Sequence, residues 1–139
     1  MDWHVRGTSR RAEGLEAIEA TGIEPALADP DRAGTVLELC GDIAVVVWLL
    51  GSASGESEAV SAIHCARLES LVEKLVDSPV RGFAYEAVGS VDRETLSAGS
   101  RIVERAGETW RIPVALLSEQ RGEPGWAGRI ARVVADLPV

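Results

Sequence analysis

Ile43-Ala44-Val45-Val46-Val47-Trp48-Leu49-Leu50 is an unbroken apolar run, preceded by Gly41-Asp42 and followed by Gly51-Ser52-Ala53-Ser54-Gly55. No polar residue alternates within it, which predicts a strand covered on both faces, as in the middle of a parallel sheet. Its eight residues are less than half of the roughly 20 that a bilayer-spanning helix needs. The run therefore reads as core, and no membrane partner is expected.

Working outward, the segments on either side alternate in kind. Trp3 to Thr8 reads as a short strand, and Arg11 to Thr21 as a helix closed by Gly22. Ile23 to Ala28 reads as a second strand, followed by a short helix from Asp29 or Asp31 to Leu39. Downstream, Glu58 to Val76 carries Val60, Ile63, Leu68, Leu71, Val72, Leu75 and Val76 at three- and four-residue steps, predicting one long amphipathic helix. Val80 to Val88 is a strand, Arg93 to Ala106 a helix, Ile112 to Leu117 a strand and Trp126 to Leu137 a closing helix. Strands alternating with helices point to βαβ units with right-handed crossovers. The expected fold is an α/β three-layer sandwich with a mostly parallel sheet of about five strands.

At 139 residues, 46% hydrophobic and 26% charged, the chain suits a single domain over 1–139. A net charge of −8 repels phosphate backbones and anionic lipid heads, so nucleic acid is not an expected partner. The N-terminus MDWHVRGTSRR lacks the apolar stretch of a signal peptide, and Cys40 and Cys65 make no disulfide framework, so a cytoplasmic location is expected. His4, His64, Cys40 and Cys65 are scattered, and no metal site is expected.

The order of elements from Trp3 to Leu117 resembles the NAD(P)-binding Rossmann domain of the extended short-chain dehydrogenase/reductase family, the epimerase and dehydratase group, starting at that fold's second strand. In this resemblance HVRGTSRR, residues 4 to 11, corresponds to the second strand and its turn. There NADP-preferring members place basic and hydroxyl residues around the adenosine 2′-phosphate, a role that would fall to Arg6, Thr8, Ser9 and Arg10. A guanidinium suits it by donating two parallel hydrogen bonds; a solvated basic turn is the alternative. Asp29 matches the residue that receives the adenine amino group, although Asp before Pro is also ordinary turn chemistry. Gly51 and Ser52 match the loop that passes under the cofactor. The resemblance implies NADP or NAD as cofactor.

Two family features are missing. No glycine-rich turn of the form G-x-x-G-x-x-G precedes Arg6, so the family's first strand, which lies mid-sheet, is not represented. Three outcomes are open: the flanking strands close up, another copy of the chain fills the gap to give a homo-oligomer, or the strand is encoded upstream of Met1. The family reaction also needs Tyr-x-x-x-Lys. Tyr85 and Lys74 are the sole residues of their types and stand in the reverse order, while Ala87 and Val88 fall about where the family has its catalytic Ser or Thr. The resemblance therefore implies a truncated or degenerate dinucleotide-binding domain without the reductase chemistry, or a non-enzymatic homo-oligomeric module that keeps only the fold.

Outside the resemblance, Glu86 is the candidate catalytic carboxylate, on an apolar strand near the carboxyl edge where sites gather; an outward-facing surface Glu is the alternative. Gly51 to Gly55 could cradle a phosphate with backbone N–H groups but lacks the Gly-Lys-Ser/Thr ending of a P-loop. His64 shares a helical face with Leu68, Leu71 and Leu75 and reads as a packed histidine, and Trp48, Trp110 and Trp126 as core or interface anchors.

Overall fold

The computed structural model describes residues 3–139. Five parallel strands alternate with six helices: β1 (Arg6–Ser9), α1 (Ala12–Ala20), β2 (Glu24–Leu27), α2 (Ala33–Leu37), β3 (Val45–Trp48), α3 (Ser57–His64), α4 (Ala66–Lys74), β4 (Gly82–Glu86), α5 (Arg93–Trp110), β5 (Val114–Leu117) and α6 (Trp126–Ala135). A 3-10 turn, Leu75–Asp77, follows α4. The expected α/β layering is present. The strands divide into a two-stranded sheet, β1-β2, and a three-stranded sheet, β3-β4-β5.

The apolar run at 43–50 is the edge strand of the larger sheet, and β4, with all five residues buried, occupies its centre. Strand alternation sends Trp48, Phe83 and Tyr85 into a core shared with Leu68, Leu71, Leu75 and Val103, under α4 and α5. Ala84 and Leu117 face the other way, against Ile130 of α6. In the smaller sheet, α1 covers β1 so closely that a Cβ on Gly7 would stand 3.0 Å from the Ile18 side chain.

The helix expected over Glu58 to Val76 is two helices. Cys65 has φ −125° and ψ −93°, outside the helical region, and the chain changes direction there. The His64 ring is fixed from two sides at this point, with Nδ1 2.6 Å from Tyr85 Oη and Nε2 2.8 Å from the Leu50 carbonyl. These long-range bonds outweigh a periodicity that runs through the break, because local propensity is the weaker force. At the far end α5 runs on to Trp110, four residues past the expected stop, and closes with Arg111 in the left-handed region at φ +56°.

The two strands flanking the sheet division do not close up: among the described residues β1 pairs only with β2, and β3 only with β4. Main-chain groups alternate sides along a strand. Val5 O and Ser9 O bond toward β2, and Ala44 O accepts from Arg81 toward β4. The main-chain groups of Arg6 and Thr8 on β1, and of Val45 and Val47 on β3, therefore face outward at unpaired edges.

Candidate functional site

Where β1 and β2 end, the chain leaves an open groove of about 240 Å³ lined by Arg10, Leu27, Ala28, Asp29, Arg32 and Thr35. Its geometry follows from two turns. After β1, Ser9 Oγ accepts from Arg11 N–H at 3.1 Å and donates to Arg11 O at 3.0 Å, so the hydroxyl organises the turn and leaves Arg10 exposed. After β2, the Asp29 N–H donates to Thr35 Oγ1 at 2.9 Å, and Asp29 Oδ1 accepts from Asp31 N–H at 3.0 Å. That Asx turn sets the Asp29 carboxylate and the exposed Arg32 beside the groove. Neither Arg10 nor Arg32 pairs with a carboxylate among the described residues. Leu27, 61% exposed, gives the groove an apolar wall. Two bare guanidinia, one carboxylate and an apolar surface suit an anionic, partly flat ligand.

Arg10 and Asp29, singled out from the sequence, are thus brought together, joined by Arg32 and Thr35, which sequence reasoning missed. Arg6 is not brought to them. It sits at the opposite end of β1, where its guanidinium donates to Leu39 O at 2.8 Å and Asp42 Oδ1 at 3.0 Å and stands 3.3 Å from Glu24 Oε2. Asp42 and then Glu24 hold Arg6 still more firmly protonated, and Arg6 holds the Asp42 carboxyl below its usual range. Thr8 is exposed on the strand between them, and Ser9 is engaged within the turn.

A second constellation occupies the carboxyl edge of the larger sheet. Glu86, the last residue of β4, is fully buried, which settles its orientation as inward. Its carboxylate accepts from Gly51 N–H at 2.9 Å, from Arg121 Nε at 2.9 Å and from Arg121 Nη2 at 2.7 Å. The Arg121 guanidinium also donates to Leu49 O at 2.8 Å and lies 5.2 Å from the centre of the Trp126 ring. Gly51 and Ser52 are engaged too: Gly51 O accepts from Val91 N–H at 3.0 Å, and Ser52 Oγ accepts from Ser90 N–H at 3.2 Å.

Tyr85 and His64 form a third buried pair beneath this edge. Burial depresses the His64 pKa and raises that of Tyr85, so the ring is neutral, with Nε2–H donating to Leu50 O and the phenol donating to Nδ1. Lys74 is exposed on α4. Trp48 is core, whereas Trp110 is 44% exposed. Among the described residues no three His, Cys, Asp or Glu side chains are grouped to hold a metal ion, and no helix is long and apolar enough to cross a membrane.

No family model matches the sequence, and no curated protein matches it. Solved structures do resemble it. Triphenylmethane reductase of Citrobacter sp., solved with NADP(H), superposes with a TM-score of 0.58 at 16% identity, over 80% of this chain and 38% of that one. UDP-glucuronic acid 4-epimerase of Bacillus cereus, solved with NAD, gives 0.60 at 16% identity, over 97% of this chain and 56% of that one. The chain thus spans less than two thirds of each. At such identity the likeness concerns architecture: this is a Rossmann-like α/β sandwich.

Proposed function

We propose that the chain is an NAD(P)-binding Rossmann-like domain, a reduced relative of epimerase and reductase domains, that takes the adenosine end of the dinucleotide into the groove between β1 and β2. The observation that carries the reading is the pair of guanidinia, Arg10 and Arg32, which among the described residues pair with no carboxylate and stand beside Asp29 at the carboxyl ends of two parallel strands. That is the edge at which open α/β sheets bind ligands. Asp29 would receive the adenine amino group, Leu27 would meet the base, and the arginines would hold phosphate. The two structural neighbours bind NADP(H) and NAD, which supports the cofactor class. Reductase or epimerase chemistry by Tyr-x-x-x-Lys is not part of the proposal, since Tyr85 is sealed in the core against His64 and Lys74 lies on another element.

Isothermal titration with NADP and NAD at low ionic strength tests it. Binding is expected, and Arg10→Ala and Arg32→Ala should each weaken it about tenfold or more, the worth of a charge-assisted hydrogen bond. No heat and no thermal shift at millimolar nucleotide would refute the reading.

A second reading has its own support. The unpaired edges of β1 and β3, together with exposed Val5 and Val47 (49% and 37%), suit a homo-oligomer that completes its sheet across two copies. Light scattering decides it: a mass of one chain at all concentrations would rule it out.

A further inference from the structure

We infer that the domain grips only the adenosine-phosphate half of a dinucleotide, because the sheet edge on which the nicotinamide half would have to lie is held shut by Arg121. The inference rests on the nucleotide reading above and narrows its ligand class to nucleoside phosphates bearing any second half.

The seam has two rows. In the first, Arg121, from the segment between β5 and α6, reaches back across the carboxyl ends of the strands to grip Glu86 with two nitrogens and Leu49 O with one. In the second, the loop after β3 and the loop after β4 bond directly, through Val91 N–H to Gly51 O and Ser90 N–H to Ser52 Oγ. The loops touch main chain to main chain: a Cβ added to Gly51 would fall 2.1 Å from Val88 O, and one added to Gly89 would fall 2.0 Å from Gly51 O. Gly51 N–H, Gly51 O, Leu49 O, Ser52 Oγ and the Glu86 carboxylate are among the groups with which this edge could hold a ribose, a phosphate or a carboxamide. Each already has a partner inside the protein. A second ligand half that displaced Arg121 would leave the fully buried Glu86 carboxylate without its counter-charge. The groove at Arg10 and Arg32 carries no such seam. The carboxyl edge is therefore open in the smaller sheet and closed in the larger one.

The test compares matched ligands on the full chain: ADP-ribose against NAD, and 2′-phospho-ADP-ribose against NADP, by isothermal titration. Each pair is expected to agree within about threefold. In saturation-transfer NMR with NAD, adenine protons should receive magnetisation from the protein and nicotinamide protons should not. A dinucleotide bound tenfold or more tighter than its fragment, or equal transfer to both rings, would overturn the inference while leaving the nucleotide reading intact. Absence of binding by all four ligands would refute the nucleotide reading itself, and the inference with it.

Discussion

Removing the Glu86 carboxylate should unfasten three segments at once, and the size of the effect follows from the accessibility of each partner. In Glu86→Ala the Gly51 N–H, at a fully buried residue contact, loses its acceptor, at a cost of about 1–3 kcal/mol for an orphaned buried donor. Arg121 has a side chain 42% exposed, so its guanidinium can turn to water, and its share falls to the surface-pair range of about 0–1 kcal/mol. The space vacated by the side chain adds about 1 kcal/mol. The sum is roughly 2–5 kcal/mol, which for a domain of this length lowers Tm by roughly 6–15 °C. Glu86→Gln keeps an oxygen for Gly51 N–H but presents an amide N–H₂ to a guanidinium, so it should fall between wild type and Ala. Differential scanning calorimetry measures all three. A Glu86→Ala variant within about 1 °C of wild type would show that the three hydrogen bonds do not hold the loops, and would remove the basis for the closed edge.

Gly99→Ala should cost about 3 kcal/mol by overpacking, because the new Cβ would fall 2.0 Å from Tyr85 Oη and 2.9 Å from the His64 carbonyl, which is main chain and cannot swing aside; urea unfolding checks this. Arg111→Gly should stabilise by roughly 0.5 kcal/mol, since Arg111 holds φ +56° at the end of α5 and glycine carries no Cβ penalty there; a lowered Tm would contradict it. His64 is neutral in the fold with its pKa pushed below 6.5 by burial, while the unfolded chain protonates near 6.5. Its contribution is fully present above that pH and should be lost progressively as pH falls below it, because the unfolded state binds the proton first. His64→Gln should flatten the fall in Tm in this interval, and an unchanged slope would assign it to other groups.

The layered α/β fold was legible because Ile43 to Leu50 and the helical spacing of Leu68, Leu71 and Leu75 report burial directly. The break at Cys65 was not, since it depends on Leu50 and Tyr85, distant in sequence, reaching His64. Asp29 and Arg10 stood out as turn residues at strand ends, whereas Arg32 looked like any charge in a short loop until the Asx turn at Asp29 placed it. The burial of Glu86 was hidden for a related reason. Its partner Arg121 lies 35 residues downstream in a stretch, Arg121-Gly122-Glu123-Pro124-Gly125, that reads as a polar loop and gives no local sign of reaching back across the sheet.

Helix α1 has no buried residue, although it packs against both β1 and β2. The β1–α1–β2 unit therefore has few apolar contacts to resist opening, and its amides should exchange with solvent long before those of β4, whose every residue is buried. The groove is walled by this loosely anchored unit and the turn that follows it. A bound nucleotide would then register most directly as slower deuterium uptake between about residues 6 and 35.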